Sequence, residues 1–176
     1  MECSCMRLWS YLASWGMLRG SSVLLQCSPA VFKGLIGHFD SISKCTIWCI
    51  DVDSYNNSNK QLIINEYNAI SKILNSSIHN VPSVTLVTKI MLGVFGCVPA
   101  FDTFFTKAFR TLYGDFRTIS ISELNYIEDF YVKHRIVIDK MQVPVIDFEG
   151  NPTKLFYKKA KLIDMFGFSV GQYIKP

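Results

Sequence analysis

The groups able to do chemistry in this chain concentrate between residues 83 and 117. Asp102 follows Val98-Pro-Ala-Phe and opens a phenylalanine-rich stretch. An Asp there caps a helix start, worth about 1 kcal/mol, and capping alone accounts for it. The alternative is a ligand-facing or catalytic carboxylate. Lys89 interrupts a strongly apolar segment. It is expected at the domain surface, its stem lying along apolar neighbours, with pairing to an acid as the alternative. Two basic clusters, Lys107/Arg110/Arg117 and Lys154/Lys158/Lys159/Lys161, read as solvated helix faces, or as anion contacts if the fold gathers them. Trp9 and Trp15 are candidate stacking residues, with core packing the first expectation, and His134 is expected on the surface.

Other chemistries lack their parts. The spacing Cys45-x-x-x-Cys49 suits one helix face, but His38, His79 and His134 are scattered, so no four-ligand zinc set assembles. Neither a phosphate-binding glycine loop nor a nucleophile–base pair occurs, and no metal or cofactor is implied. Glu2, Arg7 and Arg19 break the early apolar stretch, so no secretory leader is expected; the six cysteines are then expected as reduced thiols in a cytoplasmic protein.

The length of 176 residues suits one domain, 1–176, with a helical core over about 6–140 and a β-hairpin plus short helix over about 143–170. Hydrophobic residues make up 49% and charged residues 18%, which excludes a disordered chain and points to a full core or an apolar partner surface. The net charge of +4 is mild for a dedicated nucleic-acid binder. Residues 81–101 are apolar enough to raise a membrane span, but two prolines, Lys89 and several hydroxyls favour a buried central helix, and no membrane is expected.

Helical spacing predicts a first helix over about 6–26, with a break near Gly20-Ser-Ser. A second follows Ser28-Pro29. Residues 45–52 fit either a strand or a short helix. Ile63, Tyr67, Ile70 and Leu74 mark a helix over about 59–75. The central helix spans about 85–95 and stops at Gly96-Cys-Val-Pro99. The next starts at Asp102 and runs to about Tyr113 with Phe101, Phe105, Ala108, Phe109 and Leu112 inward. Another spans about 122–140. Residues 143–148 and 153–157 read as two strands around a turn, and a helix over about 158–166 closes the chain.

The segment His79–Phe105 carries a more specific pattern: a helix, a tight connection at Val81-Pro82-Ser83-Val84-Thr85, an apolar helix, a break at Phe95-Gly96, then Pro99-Ala100-Phe101-Asp102. It resembles the centre of the helix-hairpin-helix DNA glycosylase superfamily, and the likeness extends over about residues 6–115, with about 25 residues carrying motif. It implies a mainly α, orthogonal helical domain with a helix-hairpin-helix-like centre, here followed by a small C-terminal β-hairpin. In that family hairpin glycines bring backbone N–H groups to a DNA phosphate. The Asp stabilises positive charge on the sugar, or activates water, once a base is flipped out.

Carried over residue by residue, the likeness makes Asp102 the acidic centre and Ser83, Val84 and Thr85, with Lys107 and Arg110, the DNA-facing residues. The chain departs from the pattern at both hairpin glycines, where Ser83 and Thr85 stand. Val87 occupies the position of the family's nucleophilic lysine, the interval from Thr88 to Asp102 is short, and no iron–sulfur cysteine set follows. The resulting expectation is a DNA-associated protein with a glycosylase-like core, its catalysis open. The alternative is a non-catalytic protein-interaction or regulatory module, of mobile-element or phage type, partnering another protein through an aromatic, weakly charged surface.

Overall fold

The computed structural model describes residues 1–20 and 22–174. It is mainly helical with one small hairpin: α1 (Glu2–Ser14), α2 (Lys33–Ser41), α3 (Asn57–Ile78), α4 (Val84–Val94), α5 (Thr103–Tyr113), α6 (Ile121–Ile138), β1 (Pro144–Ile146), β2 (Pro152–Phe156) and α7 (Lys159–Tyr173). The hairpin is antiparallel, pairing Pro144 with Phe156 and Ile146 with Pro152 around an irregularity. This is the mainly α fold with a C-terminal hairpin that the sequence led us to expect.

Caps explain where helices start. A first turn leaves its N–H groups without intrahelical partners. Asn56 accepts from Asn59 N at 2.8 Å to open α3, Ser83 from Leu86 N at 3.1 Å for α4, and Asp102 from Phe105 N at 2.9 Å for α5. Helix α7 starts on a lysine and borrows its cap from far away. The Asp51 carboxylate accepts from Lys159 N at 2.8 Å and Ala160 N at 2.9 Å. Burial lifts the Asp51 carboxyl above the usual range, and those N–H bonds oppose the rise.

Three sequence expectations are corrected and one left open is settled. The first helix occupies residues 2–14 rather than 6–26, because Gly16 adopts φ +71°. Gly16 N donates to Ala13 O and Met17 N to Leu12 O, both at 2.9 Å, closing α1 with the paired bonds of a Schellman ending. The expected break at Gly20-Ser-Ser includes Ser21, which lies outside the described residues. Residues 45–52, left open between a strand and a short helix, hold a 3₁₀ turn at Thr46–Cys49, and a second begins at Val52. Leu112 points to solvent instead of inward, 55% exposed. Helix α7 extends well past residue 166, to Tyr173.

The core gathers on α4, whose Leu86, Val87, Ile90 and Met91 are buried, and on an aromatic stack from α5 onward. Phe105 and Phe109 lie with ring centroids 4.4 Å apart, and Phe116 packs on Phe109 at 5.2 Å. Helices α5 and α7 meet backbone to backbone. A methyl group at Gly171 would overlap the Phe104 carbonyl, and one at Gly167 would meet the Phe105 ring. The far end of α4 is held by Lys158, whose ammonium donates to Trp48 O at 2.8 Å, Ile50 O at 3.1 Å and Phe95 O at 2.7 Å.

Candidate functional site

Three elements converge on one concavity. The C-cap of α1 and the turn that follows it deliver Trp15 and Arg19. Helix α4 presents Thr85 and Lys89, four residues apart and so on one face. The start of α5 supplies Asp102, Thr103 and Phe104, and α7 adds Phe168. Together they line a cleft of about 630 Å³, within the ordinary size of ligand sites.

Lys89 and Asp102 form its polar floor, at 5% and 8% exposure. The Lys89 ammonium donates to Trp15 O at 3.1 Å and stands 3.9 Å from the Asp102 carboxylate. Asp102 uses its other oxygen to cap α5. Capping and facing the cleft are therefore both true of this side chain. The expected surface position of Lys89 is overturned: it is buried and paired, because α1 and α5 close over the α4 face that carries it.

A second ion pair lies behind the first. Asp164 of α7, 2% exposed, accepts from Ala100 N at 3.0 Å and from Lys161 Nζ at 2.7 Å. The Trp15 indole contacts both cations, with Lys161 Nζ 4.0 Å and Lys89 Nζ 5.2 Å from the ring centre. Burial pushes the Asp164 carboxyl up, against the pull of Lys161. Burial likewise holds Lys89 below the usual lysine range, and Asp102 and Asp164 pull it back. Tyr11 donates to Lys89 O at 3.1 Å, and burial raises its phenol.

The cleft opens on both sides. Toward α5 it shares Thr85, Asp102 and Thr103 with a hollow of about 460 Å³ that also takes in Val84, Lys107, Arg110 and Arg117. Toward the α3–α4 connection it shares Gly16, Met17 and Arg19 with a hollow of about 400 Å³ containing Asn80, Val81 and Ser83. Asp102 and the DNA-facing residues carried over from the likeness thus border one continuous valley, with Ser83 at one end, Asp102 in the middle, and Val84, Thr85, Lys107 and Arg110 at the other; Trp9, His134 and the Lys154/Lys158/Lys159/Lys161 cluster do not border it. Its cations are Arg19, Lys89, Lys107, Arg110 and Arg117; Asp102 is the acid on its wall.

Several of these groups already have partners. The Ser83 hydroxyl caps α4, and Thr85 Oγ1 donates to Phe101 O at 2.9 Å. Lys107 donates to Ile174 O, and Arg110 Nε to Phe116 O at 3.0 Å. Those neutral carbonyls leave the cationic charge in place. Arg117 pairs with exposed Asp115 at 2.8 Å. Val87, where the glycosylase likeness puts a lysine, is fully buried; the lysine on the cleft is Lys89.

The sequence reading missed Arg19, Phe104, Phe168 and the Asp164–Lys161 pair, and assigned Trp15 to the core although it is half-buried on the cleft wall. The i, i+4 spacing of Thr85 and Lys89 was the available signal. All six cysteines are free. No group of three or more His, Cys, Asp or Glu side chains is placed to hold a metal ion among the described residues. No described helix is long and apolar enough to cross a membrane. Comparison with protein families, curated proteins and solved structures finds no match for this chain.

Proposed function

We propose that the protein associates with DNA along this valley, with a nucleotide unit entering the cleft over Asp102 and Lys89. The observation that carries the reading is the placement of a buried Lys–Asp pair on the floor of a cleft that runs directly into a hollow lined by Lys107, Arg110 and Arg117. Clustered cations give a mildly basic chain a phosphate-attracting track. The half-buried Trp15 and the partly exposed Phe104 supply aromatic walls, and base–aromatic stacking contributes about 1–3 kcal/mol per base. Asp102 stands where the glycosylase likeness puts its acidic centre. A second reading, a protein-interaction module, has its own support in the apolar groove of about 420 Å³ between α6 and α7, away from the valley.

The test is fluorescence anisotropy with single-stranded and duplex oligonucleotides. With about three phosphates neutralised on a single strand, affinity falls about 20-fold between roughly 50 and 200 mM salt. Arg117→Glu and Arg19→Glu, both exposed and off the core, are expected to weaken binding and flatten that slope. Absence of binding at low salt in the parent removes the DNA reading.

A further inference from the structure

The cleft has a neighbour across Trp15. A pocket of about 450 Å³ lies along the C-terminal end of α4, and Trp15 lines both it and the cleft. Tyr11, Phe156 and Tyr157 add to its aromatic lining, and Lys158 and Lys161 are its charged groups. Phe156 and Tyr157 stand at the end of the hairpin, 52% and 37% exposed, so neither is committed to the core.

The charges on this pocket have one sign. No acid lines it among the described residues. Lys158 is held by three neutral carbonyls, which leave its charge in place. Lys161 is paired with Asp164, but that carboxylate is 2% exposed and does not line the pocket. Aromatic walls with cations and no acid suit a planar ring that carries negative charge beside it.

Trp15 divides the two hollows, and each has its own lysine. Lys89 lines the cleft and Lys161 the pocket, at 5.2 and 4.0 Å from the indole centre. Each hollow also has a further aromatic wall, Phe104 in the cleft and Tyr157 in the pocket. The same set of groups therefore occurs twice, side by side, which fits a ligand made of repeated units. Successive bases of a duplex stand about 3.4 Å apart, leaving no room for an indole between them.

We infer that the pocket takes a second nucleotide unit, next in the strand to the one in the cleft, so that the ligand is a single strand with two consecutive unpaired bases parted by Trp15. This rests on the DNA reading and narrows it. Phe156 and Tyr157 stack on the second base, and Lys161 meets the phosphate between the two.

The test is displacement of a labelled oligothymidylate, read by anisotropy, with d(TpT) or thymidine 5′-monophosphate as competitor. The dinucleotide is expected to compete about tenfold more strongly, although it carries less charge. Tyr157→Ser and Phe156→Ser should each reduce that advantage, and the double replacement should abolish it, with competition by the mononucleotide unchanged. Both side chains are exposed, so thermal melts of the variants should match the parent. A duplex of equal length should bind at least about tenfold more weakly than the single strand. Equal competition by the two, an advantage that survives the double replacement, or a duplex bound as tightly as the single strand overturns the inference and leaves the DNA reading standing. A parent that binds no oligonucleotide overturns both.

Discussion

Replacing Asp102 by Asn separates its two roles. Asn caps a helix as well as Asp does, so the bond from Phe105 N survives and only the charge is lost. The charge faces Lys89 at 3.9 Å, with both side chains about nine-tenths buried. At an effective dielectric constant of about 20, two unit charges at that distance interact by about 4 kcal/mol. Asp164 remains to offset part of the loss, so Asp102→Asn should destabilise the fold by about 3 kcal/mol, the low end for breaking a buried pair. Asp102→Ala should cost about 1 kcal/mol more, for the cap.

The assay is urea unfolding of the parent, Asp102→Asn, Lys89→Met and the double variant. In the cycle the two positions should couple by about 2 kcal/mol, because without Lys89 the carboxylate has lost its counter-charge. The pH dependence has a definite sign. Lys89 titrates below its unfolded value in the fold, so between the two values the unfolded chain holds the extra proton, and stability rises with pH across that window. Asp102→Asn removes an upward pull on Lys89, which extends the window toward lower pH. Coupling below about 0.5 kcal/mol, or an Asn variant as stable as the parent, would refute the argument that Asp102 and Lys89 act as a pair.

Other parts of the structure make separate predictions. Lys158→Met leaves three carbonyls without their donor, those of Trp48 and Ile50 and that of Phe95 at the end of α4, and should cost about 3–5 kcal/mol in urea unfolding, since each bond is charge-assisted. A change below about 1 kcal/mol would contradict the cage. Gly171→Ala forces α7 off the Phe104 backbone and should cost about 2 kcal/mol or more, whereas Gly37→Ala, in open space on α2, should be neutral or stabilising. In a native thiol assay at neutral pH, exposed Cys3, Cys45 and Cys49 should react, while Cys97, buried with its thiol pushed up to about 12, should react only after unfolding.

The physics that made some elements legible is local. Helix α3 announces itself by Ile63, Ile70 and Leu74 at helical spacing. Helix α4 does so by its apolar run and by Gly96 at its end, and α5 by Asp102 at its start. Glycine spacing misled at α1, because Gly16 and Gly20 both adopt positive φ and only the 5→2 and 6→1 bonds single out Gly16 as the stop. The cap of α7 was not legible at all, since its donors at 159 and 160 find Asp51 more than 100 residues away. The same holds for the site. Asp102 could be picked out as a helix cap beside basic residues, but Lys89 gains its meaning from Trp15 and Asp102, which reach it only through the packing of α1 and α5. An apolar helix bearing one lysine reads the same in sequence whether that lysine snorkels or pairs.

The central claim, that a nucleotide unit enters the cleft over Asp102 and Lys89, is met most directly by an oligonucleotide containing one 2-aminopurine, titrated with the parent protein and with Trp15→Leu. Entry into the cleft predicts a fluorescence change that saturates together with anisotropy and is lost or strongly reduced when the Trp15 wall is removed. Anisotropy that rises while 2-aminopurine fluorescence stays constant, or a change that Trp15→Leu leaves intact, would place any bound DNA outside the cleft and contradict the account.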